Sequence, residues 1–176
     1  TKIVWSQQAE AKIPVTLQLT DVQERANGLM FTLGSYQFFS PLLGQWNIEN
    51  IASALGVGMY AGLSLPELMQ GLASFTGTPG RMELIEAGQP FKVIVDYAYE
   101  PRSLSLLYSF WRKQVGSNHK LITLISSTGG GRDTWRRSEN GKIAAQLCDY
   151  VIVTDEDPYD DDPDQIIAEV AQGAVA

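Results

Sequence analysis

The sequence predicts an α/β protein in two parts: short strands and two helices over residues 1–80, then a mainly parallel sheet covered by helices over 81–176. Three observations carry that reading. Beyond residue 81, apolar runs over 91–97, 121–127 and 150–154 each lead through a polar turn into a helical pattern, and consecutive strand-helix units imply a parallel sheet with right-handed crossovers. Before residue 44 the apolar runs are short and separated by turn residues. Between these regimes, Gly77-Thr78-Pro79-Gly80-Arg81 punctuates the chain more strongly than any other stretch, and the domain boundary belongs there.

In chain order, strands are expected over 2–6, 15–20 and 29–39, the last with an irregularity at Gly34, and Asn27-Gly28 is a hairpin signal before it. Ile48, Ile51, Ala52, Leu55, Val57 and Met59 suggest a helix over 47–61 capped by Asn47. Asn47 and Asn50 lie three apart and face the same way from its first turn. A second helix starts at Ser64, where Glu67 completes a capping box; Leu65, Leu68, Met69, Leu72 and Phe75 form its apolar stripe, and it stops near Gly77. The run Phe91 to Tyr97, rich in β-branched residues, reads as a buried strand with Asp96 at its end, and Pro101 sets the first turn of a helix over 100–115. Strand 121–127 leads through Gly129-Gly130-Gly131 to a helix near 140–148. Strand 150–154 leads through an acidic loop to a helix from about Asp162, where Asp162 and Asp164 sit at the positive end of the helix dipole. All three strand ends are polar: Asp96, then Arg132 and Asp133, then Asp155 to Asp157. They should line the edge at which an open α/β sheet binds ligands.

A hydrophobic share of 44% with moderate charge describes a globular chain and excludes a disordered one. No apolar run reaches the roughly 18 residues needed to cross a bilayer, and no signal-peptide pattern opens the chain, so a cytoplasmic protein with no membrane partner is expected. The single cysteine, Cys148, lacks a disulfide partner and reads as a small buried hydrophobe. The net charge of −7 is concentrated: no Lys or Arg follows Lys142 but nine acids do, which leaves thirteen bases against eleven acids elsewhere. That argues against a nucleic-acid surface in the C-terminal part. The chain starts at Thr1 and ends inside an unfinished helical pattern, as expected of a piece of a longer protein.

The triple glycine either lets backbone N–H groups approach an anion or is a simple flexible turn; it matches neither G-x-x-x-x-G-K-[ST] nor G-x-G-x-x-G. Arg132, nearest the strand end, suits a carboxylate or phosphate, whereas Arg136 and Arg137 read equally well as surface residues. Arg81 either reaches a cleft between domains or is an exposed linker arginine. His119 reads as a turn residue. Asp155, Glu156 and Asp157 fail the calcium-loop pattern, because Tyr159 and Asp160 occupy places that need other residue types; no metal-ligand set is assigned.

Five stretches, in order, resemble the Mur ligase family, in particular its ATP-dependent UDP-N-acetylmuramoyl-tripeptide synthetases. Gly44-Gln-Trp-Asn-Ile-Glu-Asn50 meets G-x-[FW]-N-x-x-N, Gly80-Arg-Met-Glu83 meets G-R-M-E, and Val95-Asp-Tyr-Ala-Tyr-Glu-Pro101 meets V-D-Y-A-H-x-P apart from one residue. Gly129 to Gly141 is similar to G-G-D-R-D-x-x-[KR]-R-P-x-M-G with register kept, and Thr154 to Pro163 is similar to T-D-[DE]-N-P-x-x-[ED]-[ED]-P. The resemblance implies the end of a central ATP-binding domain over 1–80 and the start of a Rossmann-like C-terminal ligase domain over 81–176. It implies ATP and Mg²⁺, with Asn47 and Asn50 at the adenine end, Arg81 and Asp96 at the ribose and phosphates, and Tyr99 among the nucleotide contacts. Arg132, Asp133, Asp157 and Tyr159 would face a free amino acid that is joined to UDP-N-acetylmuramoyl-dipeptide through an acyl phosphate. The intact enzyme would be a monomer.

The departures carry information too. Tyr99 replaces a histidine, so an imidazole hydrogen bond is lost while an aromatic ring remains. Asp157 and Tyr159 replace the asparagine and arginine that recognise a distal carboxylate in diaminopimelate-adding members, which points to lysine or ornithine. The family's Gly-Lys-Thr/Ser loop, carbamylated lysine, uridine-binding domain and late Gly-His-Glu segment are absent from this stretch, so alone it is not expected to ligate. Folylpolyglutamate or cyanophycin synthetases, or a non-catalytic nucleotide or amino-acid binder, are the alternatives; the run Asp155 to Pro163 favours the muramyl enzymes.

Overall fold

The computed structural model describes residues 5–6, 17–131 and 133–175, with side chains from residue 17 onward. The expected strand residues 2–4, 15 and 16 lie outside these, as does Arg132. Two compact units divide the chain, Thr1–Asp96 and Tyr97–Ala176.

In the first unit β1 (Trp5–Ser6) pairs parallel with β2 (Leu17–Arg25), and β3 (Gly28–Leu33) and β4 (Tyr36–Ser40) follow antiparallel, in the order β1-β2-β3-β4. Strand alternation puts Leu17, Leu19, Leu29, Phe31, Leu33 and Phe38 on one buried face. Phe31 and Phe38 oppose each other in register and stack with centroids 5.3 Å apart. β2 runs on to Arg25 because its register shifts between Thr20 and Gln23, where Asp21 has φ 52°; beyond that bulge its side chains leave the core. The expected strand 29–39 is two strands. Leu33 pairs with Tyr36 across a Gly34-Ser35 turn, and Gly34 takes the left-handed φ of 62° that a side chain would resist.

α1 (Asn47–Tyr60) lays Ile48, Ile51, Ala52 and Leu55 into this core. Val57 and Met59, expected on the same face, are exposed, because the 3.6-residue period carries the buried stripe from Leu55 to Gly58. α2 (Leu65–Ser74) begins with the expected box: the N–H and hydroxyl of Ser64 both donate to the Glu67 carboxylate, at 2.8 and 2.6 Å. Leu68 is buried with Leu65, Met69 and Leu72 against the same core, whereas Phe75 lies past the helix and is exposed. The unit closes with an antiparallel hairpin of β5 (Glu83–Ile85) and β6 (Val93–Val95). The run 91–97 thus supplies three strand residues, with Val93 and Val95 37% and 44% exposed instead of buried. A turn containing Gly88, at φ 79°, folds β6 back on the strand just before it.

The second unit runs α3 (Pro101–Val115), β7 (Ile122–Ile125), α4 (Trp135–Leu147), β8 (Tyr150–Val153) and α5 (Pro163–Val175). β7 and β8 are parallel and in register, the expected strand-helix-strand crossover. α4 starts well before Asn140, because the N–H groups of Arg136 and Arg137 close turns onto the carbonyls of Asp133 and Thr134 at 3.0 Å each. Leu104, Tyr108, Ile125, Ala144 and Val170 form the core. Inside it the hydroxyls of Tyr108 and Thr123 are hydrogen-bonded at 2.9 Å, and burial pushes the phenol up to about 12. Cys148 packs half-buried against the same residues; burial pushes its thiol up to about 11, so it stays protonated and unreactive. α4 and α5 meet through glycines. A Cβ on Gly141 would strike the Val170 carbonyl, and one on Gly173 the Ser138 carbonyl.

Candidate functional site

In the first unit the candidate residues fall into two groups. Asn47 is the first helical residue, not the cap, which is Trp46; its amide is spoken for, since Nδ2 donates to the Leu43 carbonyl at 2.7 Å. Its Oδ1 accepts from Asn50 Nδ2 at 2.9 Å, so the two amides are joined. The second group surrounds the joint. Arg81 N–H donates to the Thr78 carbonyl at 3.0 Å, Gly80 N–H to Glu83 at 2.7 Å, and Met82 N–H to the Asp96 carboxylate at 2.8 Å. Met82 has φ 52°, so Asp96 at the end of β6 anchors a left-handed backbone next to Arg81.

Tyr99 opens the second unit's share. It is exposed, touches Tyr97 edge-to-face at 5.8 Å, and has the Arg136 guanidinium 5.2 Å from its ring centroid. Arg136 also pairs with Glu100 and, at 2.7 Å, with Asp133, while Asn140 Nδ2 donates to the Tyr99 carbonyl at 2.9 Å. Arg136 is therefore a half-buried pin under Tyr99 and not a surface residue.

The glycine loop and the acidic loop are built against each other. Gly129 is buried with no room for a Cβ beneath the Pro158 carbonyl, and its N–H donates to the Asp157 carbonyl at 2.9 Å. The Tyr159 ring lies 3.6 Å from where a Cβ of Gly130 would stand. Close backbone approach, not flexibility, is thus what Gly129 supplies. Ser126 donates to Glu156 at 2.9 Å. Arg137, which the sequence reads equally well as a surface residue, has a side chain only 3% exposed and binds Asp161 at 2.7 Å and Glu169 at 2.8 Å. Beside it opens a cleft of about 480 Å³, lined by Gly131, Thr134, Asp160, Asp162 and Gln165. Asp133, Asp157 and Tyr159 are all in this unit with exposed side chains, and Arg132 lies outside the described residues.

Residues 80–176, more than half of the chain, match the family model described as Mur ligase, glutamate ligase domain. The chain belongs to the Mur ligase family. It is 38% identical over 173 residues to the UDP-N-acetylmuramoyl-L-alanyl-D-glutamate--2,6-diaminopimelate ligase of Prochlorococcus marinus, covering 95% of this chain and 33% of that protein. It is 39% identical over 160 residues to a UDP-N-acetylmuramyl-tripeptide synthetase of Roseiflexus, covering 89% of this chain and 31% of that one. Among solved structures, the folylpolyglutamate synthase of Mycobacterium tuberculosis superposes with a TM-score of 0.69 at 22% identity, over 90% of this chain and 37% of the other, which shows a shared fold. This Mur ligase chain spans about a third of the length of the curated relatives it matches.

Among the described residues of this Mur ligase chain, no group of three or more His, Cys, Asp or Glu side chains is placed to hold a metal ion. Magnesium is usually held by one or two carboxylates together with substrate phosphates, so a protein cage is not required of it. No helix among the described residues is long and apolar enough to cross a membrane.

Carboxylates of both units shape how this Mur ligase chain responds to acid: in the first unit the Ser64 hydroxyl and N–H lower Glu67. The Leu121 N–H and the Arg112 guanidinium hold the Asp149 carboxyl well below its usual range, with Lys120 adding to them. Arg137 lowers Asp161, and Arg137 with Gln165 lowers Glu169. Burial alone would lower Arg137 itself, but its bonds to Glu169 and Asp161 outweigh that and raise it. Groups whose folded pKa is depressed bind more protons when unfolded, so their stabilisation is complete above about pH 4 and lost as pH falls through the folded values. Urea midpoints should therefore hold steady from pH 7 to about 5 and drop below about 4. A midpoint that rises on acidification would contradict this.

Proposed function

We propose that the chain is part of an ATP-dependent amide-bond-forming ligase that adds the third amino acid, lysine or ornithine, to UDP-N-acetylmuramoyl-dipeptide in peptidoglycan synthesis. The observation that carries the reading is the fit of the acidic loop to the glycine loop, which sets Asp157 and Tyr159 beside Gly129 and Gly130. The dipeptide carboxylate attacks the γ-phosphorus of ATP and ADP leaves; the amino group then attacks the acyl phosphate, loses a proton and expels phosphate. Asn47 and Asn50 take the adenine end, Arg81 and Asp96 the ribose and phosphates, and Tyr99, backed by Arg136, packs on the nucleotide. Arg132, Asp133, Asp157 and Tyr159 face the amino acid. Mg²⁺ bound with the nucleotide would spread phosphoryl charge. The domain joint is placed at Gly77 to Arg81, supported by a family match that begins at residue 80. The intact enzyme is a cytoplasmic monomer.

An exposed carboxylate at Asp157 favours a distal ammonium, and Tyr159 offers no cation to a distal carboxylate. With the full-length ligase, kcat/KM should be about tenfold or more higher for lysine or ornithine than for meso-diaminopimelate, since one charge pair gained or lost is worth about 1.4 kcal/mol or more. The 176-residue chain alone should release phosphate from ATP only at background rate. Faster turnover with diaminopimelate overturns the preference; no amide product with any amino acid overturns the ligase.

A further inference from the structure

We infer that Arg137 is a positioning residue for the amino-acid side of the site, a buried pin that sets the acidic loop against the glycine loop. What the loops bind rests on the ligase reading above; the pin rests on geometry. A guanidinium is costly to desolvate, and in Arg137 both terminal nitrogens are hydrogen-bonded while Nε is buried without a protein partner. Arg137 reaches from α4 to three separate places: the Asp161 carboxylate at 2.7 Å, the Glu169 carboxylate at 2.8 Å, and the Thr128 carbonyl at 3.5 Å. The same Asp161 oxygen accepts the Gly131 N–H at 3.4 Å, so one carboxylate is tied both to α4 and to the glycine loop. On the other side of the loop, Gly129 N–H holds the Asp157 carbonyl at 2.9 Å. Asp157 is the first of these two anchors, and Tyr159 lies between them. Tyr159 has φ 49°, a conformation that a non-glycine residue keeps only where its surroundings over-determine it. Removing the pin should let that residue relax toward ordinary backbone and carry its ring away from Gly130. Arginine is needed here because its planar fork spans two carboxylates at once, which a lysine ammonium on a flexible stem does not.

The test uses the full-length ligase with Asp161→Asn and Arg137→Lys. Asp161→Asn keeps the Glu169 pair and so guards against simple failure to fold. KM for the amino acid should rise at least tenfold, with KM for ATP and kcat within about twofold. Hydrogen exchange of the peptide covering 128–131 should speed up at least tenfold while exchange in α5 stays unchanged. Unchanged amino-acid KM, or equal losses toward both substrates, overturns the positioning role. A wild-type enzyme inert toward every amino acid sinks the ligase reading, and the exchange measurement alone then decides the pin: unaltered exchange at 128–131 overturns it.

Discussion

Gly141→Val should cost the second unit about 3 kcal/mol or more, a fall of over a hundredfold in its folding equilibrium. Replacing a helical glycine ordinarily stabilises, because Gly trails alanine by about 1 kcal/mol in a helix interior. Here the sign reverses, since the first added carbon meets the Val170 carbonyl, and backbone cannot step aside as a side chain can. The contact is reciprocal through Gly173 and Ser138, so α4 and α5 would have to separate along their length. That separation would also pull Arg137 on α4 from Glu169 on α5. Gly71 in α2 is the control: a Cβ there meets nothing within 4 Å, so Gly71→Ala should stabilise by up to about 1 kcal/mol. Urea unfolding of both variants decides the matter. An unchanged midpoint for Gly141→Val would mean that the helices do not meet at their backbones.

The second large effect is at Asp96. Asp96→Ala in the full-length ligase is expected to lower kcat/KM for ATP about a hundredfold, equivalent to about 2.7 kcal/mol of transition-state stabilisation. Two losses combine: the proposed contact to the nucleotide, and the acceptor for Met82 N–H that keeps the Gly80 to Met82 turn in its left-handed form beside Arg81. Asp96→Asn separates them. The amide oxygen still accepts from Met82, so a purely structural role predicts near wild-type kinetics for Asn and loss for Ala. A nucleotide role predicts loss for both. Wild-type ATP kinetics in both variants would remove Asp96 from the site.

Features whose cause lies within a few residues were legible without coordinates. The Ser64 to Glu67 box closes on itself, Pro101 sets its own φ, and the buried stripe of α1 from Ile48 to Leu55 follows from helical period, although Val57 and Met59, counted with it, are exposed. The parallel β7 and β8 pair was equally readable, because a strand, a helix and a strand in sequence leave one favoured handedness. The five ordered motifs carried the resemblance to the family, since each is read from residues a few places apart in the chain. What fell outside this reach were partnerships between distant residues. Asp96 looked like a strand end open to ligand, yet it serves Met82 across a hairpin; Gly141 is where another helix crosses, which nothing in its neighbours signals. Arg136 and Arg137 show the reason most plainly. Adjacent helical residues point about 100° apart, so one of the pair can lie beneath Tyr99 and the other inside an acidic pocket. Which faces which depends on where α5 and the acidic loop come to rest, and that is decided only when the whole unit packs.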